Sequence, residues 1–313
     1  MAGESDFIDA LRALATHPGA RGLADDAAVF SHAGRNLVLT HDVIVEGVHF
    51  LSSDPPADIG WKLAAVNLSD LAAKGARPIG ALMAYNLSGD PGWDDAFAQG
   101  LGEALARYGC PLLGGDTVRA PAGSARQFGL TALGEAENSP ARDGARPGDD
   151  LWVSGTLGDA GAGLEIARGA IAGPAGLLAA YRRPVPQLAL GQALAPQVSA
   201  MMDISDGLLI DTRRLAEASG VHIVVESIDV PLSPDFIAAR GDTRRSAIEA
   251  ATMGDDYELL FTAPVRSRRS IEIVAEDLEI AIRCIGLVER GAGIALQEGG
   301  RPLALPERLG WEH

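Results

Sequence analysis

Aspartate recurs in this chain at places that otherwise read as buried strand or helix. In "VLTHDVIVEGVHF" Asp42 interrupts a strand-like run, and in "AVNLSDLAAKGA" Asp70 falls inside an otherwise good helix. Asp is unfavourable in a helix interior by propensity, and beside a buried strand by desolvation. A carboxylate in such a place must cap a helix, pair with Lys or Arg, or bind a cation. The same residue type recurs as Asp25 and Asp26 in "ADDAAVF", Asp116 in "LLGGDT", Asp203 and Asp206 in "DISDGL", and Asp255 and Asp256 in "MGDDYELLF". Capping accounts for Ser205 well and for Asp116 passably, since Ser and Asp are ordinary N-cap residues. It does not account for Asp42 or Asp70. Several unexplained carboxylates together suggest one shared cation site.

The candidate ligands are all oxygens, with Thr40 and Ser205 available as hydroxyls and no Cys–His set beside them. Hard oxygen donors select Mg²⁺ or Ca²⁺ over zinc or copper. The twelve-residue calcium loop is absent, whereas Mg²⁺ is commonly held by a few carboxylates with substrate phosphates completing its shell. The formal net charge of −16 argues against a nucleic-acid or anionic-membrane surface. Such a protein can still take an acidic phosphate substrate through Mg²⁺ bridges. "SDGLL" and "GDAGAG" read as helix entries whose backbone N–H groups suit an anion. The two lysines, Lys62 and Lys74, lie outside any GxxxxGK[ST] loop. Protein-kinase HRD and DFG elements, a G-x-S-x-G elbow and an HExxH helix are also missing from the sequence.

At 313 residues the chain is about right for two domains of roughly 150 residues each. Helical and strand-like stretches alternate. "SDFIDALRALA" reads as helix, "NLVLTHDVIV" as strand, and "ADIGWKLAAVNLSDLAAKGA" as a helix that Gly75 ends. "CPLLGG" is a short strand and "RQFGLTALGEA" another; "NSPARDGARPGDD" is rich in turn formers and places a boundary near residues 140–148. The alternation then resumes through "SAMMDIS", a helix over "SDGLLIDTRRLAEASG", "VHIVVES" and "DYELLFTAP". Each half is α/β. Cys110 and Cys284 suggest neither a metal site nor a disulfide framework. Without an apolar run near 20 residues or a signal-like start, the expectation is a soluble cytoplasmic protein.

Taken together, "DDAAVF", "THDVIVEGVHF", "AVNLSDLAAKGA", "LLGGDT", "RRPVP", "MDISDGL", "GDDYELLFT" and the terminal "GWEH" resemble the thiamine-monophosphate kinase family. This family is grouped with aminoimidazole ribonucleotide synthetase and selenophosphate synthetase. The resemblance implies an α/β (α+β) two-domain fold. Residues 1–140 would form an Mg/ATP-binding and dimerisation domain that builds a β-barrel with its copy in a homodimer. Residues 148–313 would form a C-terminal α/β domain completing the active site. ATP, as co-substrate, and several Mg²⁺ ions would lie between them. It further implies Asp26, Thr40, Asp42, Asp70, Asp116, Asp203 and Asp206 as metal ligands. Tyr108, Gly115, Asp116, Arg142 and Ser205 would contact ATP, and His49, Asp255 and Trp311 thiamine monophosphate. The sequence departs from the family pattern at Ala24, His41, Asp255 and Gln187, where Gly, a small hydroxyl residue, Glu and Arg respectively are usual.

The implied reaction converts ATP and thiamine monophosphate to ADP and thiamine diphosphate. A phosphate oxygen whose second pKa is near 6 is largely ionised at neutral pH, so the acceptor needs no general base. No residue is singled out as catalytic, and direct in-line transfer without a phospho-enzyme is expected. Selenophosphate synthetase would carry a reactive Cys or selenocysteine early in the chain, and the hydrogenase-maturation relative a C-terminal Cys. Aminoimidazole ribonucleotide synthetase is set aside on "VEGVHF" and "GWEH". A non-catalytic binder would be expected to have lost metal carboxylates.

Overall fold

A computed structural model describes residues 8, 9, 11–121 and 123–312. The helix expected over residues 5–15 lies partly outside them. The first half builds a five-stranded sheet from β1 (Ala28–His32), β2 (Arg35–Val45), β3 (Arg77–Asn86), β4 (Leu112–Val118) and β5 (Gln127–Ala136), in the order β1-β2-β5-β3-β4. Neighbours run antiparallel except for the parallel pair β3–β4. Helix α1 (Pro56–Ala73) packs on β2 and β5, and α2 (Pro91–Arg107) packs on α1. The two helices approach closely at Gly100, where a Cβ would lie 1.8 Å from the Ala57 carbonyl oxygen. Gly75, at φ 60°, ends α1 as its position in the sequence predicts.

The sheet is open, not a closed barrel. Its edge strand β4 is exposed throughout, with Leu112, Leu113 and Val118 facing solvent at 48%, 60% and 50%. This strand is longer than the "CPLLGG" expectation and contains Asp116, so Asp116 is a strand residue and caps no helix.

The second half builds a seven-stranded mixed sheet from β6 (Asp149–Ser154), β7 (Ala200–Asp203), β8 (His222–Glu226), β9 (Leu259–Pro264), β10 (Ile282–Glu289), β11 (Gly293–Glu298) and β12 (Arg301–Leu303). Its order is β12-β11-β8-β10-β6-β9-β7. The helices of this half are α3 (Asp159–Ala167), α4 (Ala175–Arg182), α5 (Leu188–Leu194), α6 (Leu208–Ser219), α7 (Pro234–Arg240), α8 (Arg244–Thr252) and α9 (Arg268–Leu278). Asp149 and Asp150 are buried members of β6, so the turn-rich segment stops at residue 148. One apolar core runs from α1 and the small sheet to Trp152, Met201 and Phe261 of the large one, so the halves share a packed interior. A second core covers the other face of the large sheet. Among the described residues, no helix is long and apolar enough to cross a membrane.

Candidate functional site

Helix α1 is buried on nearly every side from Ile59 to Ala73, yet it carries Lys62, Asn67, Ser69 and Asp70, with Lys74 at its C-cap. Polar groups in such a helix have no water to turn to and must find protein partners. The partners come from both halves. Ser69 Oγ donates to Asp203 Oδ2 at 2.6 Å, and Lys74 Nζ donates to the Met201 carbonyl at 2.9 Å. Thr40 Oγ1 donates to Asp70, and Asn67 Oδ1 accepts from the Asp42 amide at 2.9 Å.

Alternation along β2 directs Thr40 and Asp42 to the same side, while the exposed His41 bonds Thr131 Oγ1 on β5. Asp26, Asp42, Asp70 and Asp203 thereby fall within electrostatic reach of one another. They do not behave alike. Burial raises Asp70 well above the carboxylate range, and the charges of Asp42, Asp203 and Asp26 raise it further. Asp203 is pushed up to about 8, by burial first and then by Asp26. Asp42 is raised by burial and by Asp26, against an opposing effect of His41. For Asp26, burial again favours the proton, but Arg142 and then Lys74 outweigh it and hold the carboxyl down at about 2.

Asp26 Oδ2 lies 2.7 Å from Lys74 Nζ without a well-aligned hydrogen bond, and Arg142 holds Oδ1. Among the described residues, no three His, Cys, Asp or Glu side chains are already gathered as a metal shell. The donor chemistry still fits a hard divalent cation. Every candidate is an oxygen, Asp26 Oδ2 is buried without a hydrogen-bond partner, and the raised carboxyls lack a cation of their own.

The other sequence-derived candidates divide. Asp206 sits half-buried before α6 and pairs with Arg214 at 2.5 Å. Ser205 is not the helix N-cap expected from sequence: Gly207, at φ 125°, holds that position without a side-chain bond. Asp211 does the work instead. Its buried Oδ2 accepts the amides of Ser205, Asp206 and Gly207 at 3.2, 3.1 and 3.2 Å, while Oδ1 accepts from Arg214 at 2.8 Å.

The same turn anchors two further candidates by its carbonyls. Ser205 O accepts from the Asp255 amide at 2.7 Å, and Asp206 O accepts from the Trp311 amide at 2.9 Å. Trp311 leaves its side chain half exposed. His49 follows β2, with its Nδ1 accepting from the Val45 amide at 3.0 Å.

Asp116 and Gly115 lie on the exposed edge strand, where the Asp116 carboxylate accepts only from the Thr117 amide among the described hydrogen bonds. Gly115 is required by close approach, because a Cβ there would lie 2.0 Å from the Met83 carbonyl oxygen. Tyr108 caps α2 and packs edge-on against Trp61, its hydroxyl buried without a partner. No described contact joins Tyr108 or Asp116 to the carboxylate cluster.

Sequence reading named Asp25 only among the recurring carboxylates and gave no role to Lys62, Lys74, Asp211 or Arg214. A usable signal existed for the lysines: the chain has two, both in or next to one apolar helix.

Residues 24–136 match the family described as "AIR synthase related protein, N-terminal domain", and residues 146–296 its C-terminal counterpart. The thiamine-monophosphate kinase of Caulobacter vibrioides is 37% identical over 306 residues, covering 95% of this chain and 86% of that protein. That of Aquifex aeolicus is 34% identical, covering 99% and 98%. The solved structure of AaThiL complexed with AMPPCP and TMP superposes with a TM-score of 0.86 at 33% identity, covering 99% and 97%. The thiamine-monophosphate kinase structure from Stenotrophomonas maltophilia K279a gives 0.80 at 34%, covering 95% and 96%. Hydrogenase maturation protein HypE in complex with ATP shares the fold at 20% identity, with a TM-score of 0.70 and coverage of 96% and 92%.

Proposed function

The chain belongs to the thiamine-monophosphate kinase family, a family of phosphotransferases, and from that premise we propose that it transfers the γ-phosphoryl group of ATP directly to the phosphate of thiamine monophosphate. The products are thiamine diphosphate and ADP, in the last step of thiamine diphosphate biosynthesis, carried out in the cytoplasm. The observation that carries this reading is the buried group Asp42, Asp70 and Asp203, whose proton affinity is raised by burial first and then by the charges of neighbouring carboxylates.

Asp26, Thr40, Asp42, Asp70, Asp116, Asp203 and Asp206 would hold Mg²⁺, with Asp116 doing so from the edge strand, apart from the buried cluster. When bound, Mg²⁺ supplies the positive charge that lets two polyanions meet and stabilises charge on the transferring group. The protein's own residues orient and retain the substrates. Arg142, held beside Asp26, and Ser205 would receive the nucleotide, and Tyr108 would flank it. His49 and Asp255 would line the acceptor side, while the half-exposed Trp311 indole offers a face to the cationic thiazolium. Since the acceptor oxygen is already ionised, no side chain has to remove a proton, and in-line transfer rests on positioning.

The working unit would be a homodimer. The exposed apolar edge strand β4 supports pairing of the small sheet with its copy into a closed barrel, which would bring Gly115 and Asp116 to that seam. The division into residues 1–140 and 148–313 then separates the dimerising half from the half that completes the site.

The test is ADP release from the purified protein with Mg-ATP and thiamine monophosphate, thiamine or the aminoimidazole-pathway substrate, with the product mass determined. Thiamine diphosphate formed from the monophosphate alone is the expected result. Binding of thiamine monophosphate without turnover would favour a binding protein instead.

A further inference from the structure

The buried ammonium of Lys62 joins the two segments that the proposed function assigns to the acceptor. Its side chain is 3% exposed, and Nζ donates to the His49 carbonyl at 3.0 Å and to Asp255 Oδ2 at 2.8 Å. The Tyr181 ring faces Nζ with its centroid 4.3 Å away, so the three ammonium donors face a carbonyl, a carboxylate and a π-face.

The neighbouring carboxylate does not compete for this cation. Asp54 accepts from the Tyr181 hydroxyl at 2.8 Å and from Arg182 Nε at 3.1 Å. The counter-ion of Lys62 is therefore Asp255, which lies 193 residues away in sequence and is 25% exposed at its side chain. The ion pair is closed at the lysine end and open at the aspartate end.

The Asp255 segment also needs such a tether. Asp255 and Tyr257 have φ of 70° and 53°, a left-handed region that residues with a Cβ avoid unless their surroundings hold them there. Two side-chain donors fix the Asp255 carboxylate: Lys62 at Oδ2 and the Tyr257 hydroxyl at Oδ1, the latter at 3.1 Å. On the opposite side, the turn bearing His49 is tied to the same ammonium.

We propose that Lys62 is a positioning residue for the phosphorylated acceptor: its ammonium sets the gap between His49 and Asp255 and so governs capture of thiamine monophosphate, not of ATP. This rests on the reading of His49 and Asp255 as acceptor contacts.

The test uses the full chain and steady-state ADP release, varying thiamine monophosphate at saturating Mg-ATP and then the reverse, with thermal unfolding of each variant. Loss of a hydrogen bond to a charged group predicts that Lys62→Met raises KM for thiamine monophosphate by about tenfold or more, with KM for ATP changed less than about twofold. Lys62→Arg restores part of the loss. Tyr257→Phe, which removes the second tie on Asp255, raises the same KM by roughly threefold. The double variant falls short of the product of the two single effects, because both act on one carboxylate.

Equal rises in both KM values, a Lys62→Met protein with wild-type KM, or strict multiplication of the single effects would overturn the role. Should Lys62→Met fail to fold, Lys62→Arg and Tyr257→Phe read the same KM ratio. A wild-type protein inactive on thiamine monophosphate removes the parent reading and the role together. An active wild type with unselective variants removes the role alone.

Discussion

Asp26 and Asp70 belong to one buried carboxylate cluster, yet their protons are held in opposite senses. Asp26 is held down at about 2 because Arg142 and Lys74 reach it from the linker and from the end of α1. Asp70 lies one helical turn before Lys74 and is pushed the other way, by burial and by three neighbouring carboxylates. Burial acts on both, and the placement of two cations decides the difference. The protein has thus neutralised one side of the cluster with its own Arg and Lys side chains, and no described Lys or Arg pairs with the other side.

The largest effect should come from removing the unneutralised side. Asp70→Asn should lower turnover by more than about two orders of magnitude while raising the unfolding temperature of the metal-free protein, because it removes a carboxyl that must take up a proton to be buried among other carboxylates. A variant that loses both activity and stability would break the contrast. Lys74→Met attacks the neutralised side and leaves Asp25 and Asp26 buried without their lysine. Chemical denaturation should show a loss of about 3–5 kcal/mol.

The pH dependence separates the groups more finely. Asp203, Glu258 and Asp211, at about 8, 7 and 6, keep protons in the native state that the unfolded chain has already shed. Stability of the metal-free protein should therefore fall as pH rises from 5 to 8, by about 1.4 kcal/mol per pH unit for each group over its own range. Asp26 acts oppositely: its contribution is present above pH 4 and is lost only as pH falls toward 2. Glu258, raised chiefly by burial, lies outside the proposed metal ligands and accepts from Gln187 at 3.2 Å. Glu258→Gln should flatten the slope between about pH 5 and 7, and saturating Mg²⁺ should flatten the part owed to Asp203. Equal flattening by both would mean the two regions are not separable. The smallest effect is expected at Trp311, where an Ala replacement should cost about 1 kcal/mol, or roughly fivefold in KM for thiamine monophosphate.

Much of this cluster is legible in the sequence, because Asp42 in a strand and Asp70 in a helix violate propensity and so advertise themselves. The end of α1 at Gly75 and the helix after "DISDG" are legible for local reasons too. What could not be read is the pairing. Lys62 and Asp255 meet across 193 residues, and Arg142 reaches Asp26 across 116. Ser205 looked like a cap because Ser-Asp before a helix usually is one, but Asp211, from within the helix, takes the turn's amides. The exposure of β4 likewise has no signature in "CPLLGGDTV", since its leucines would suit a buried strand equally well.

Helix α1 carries Lys62 and Asp70, with Lys74 at its C-cap, on one rigid rod whose Gly60 is wedged against α2. An α-helix advances about 1.5 Å and turns about 100° per residue, so these groups are spaced by roughly 12 and 6 Å along its axis. The helix therefore works as a gauge bar. Inserting or deleting a single residue between Lys62 and Asp70 would swing one part of the site about a quarter turn away from the other, though every side chain survived.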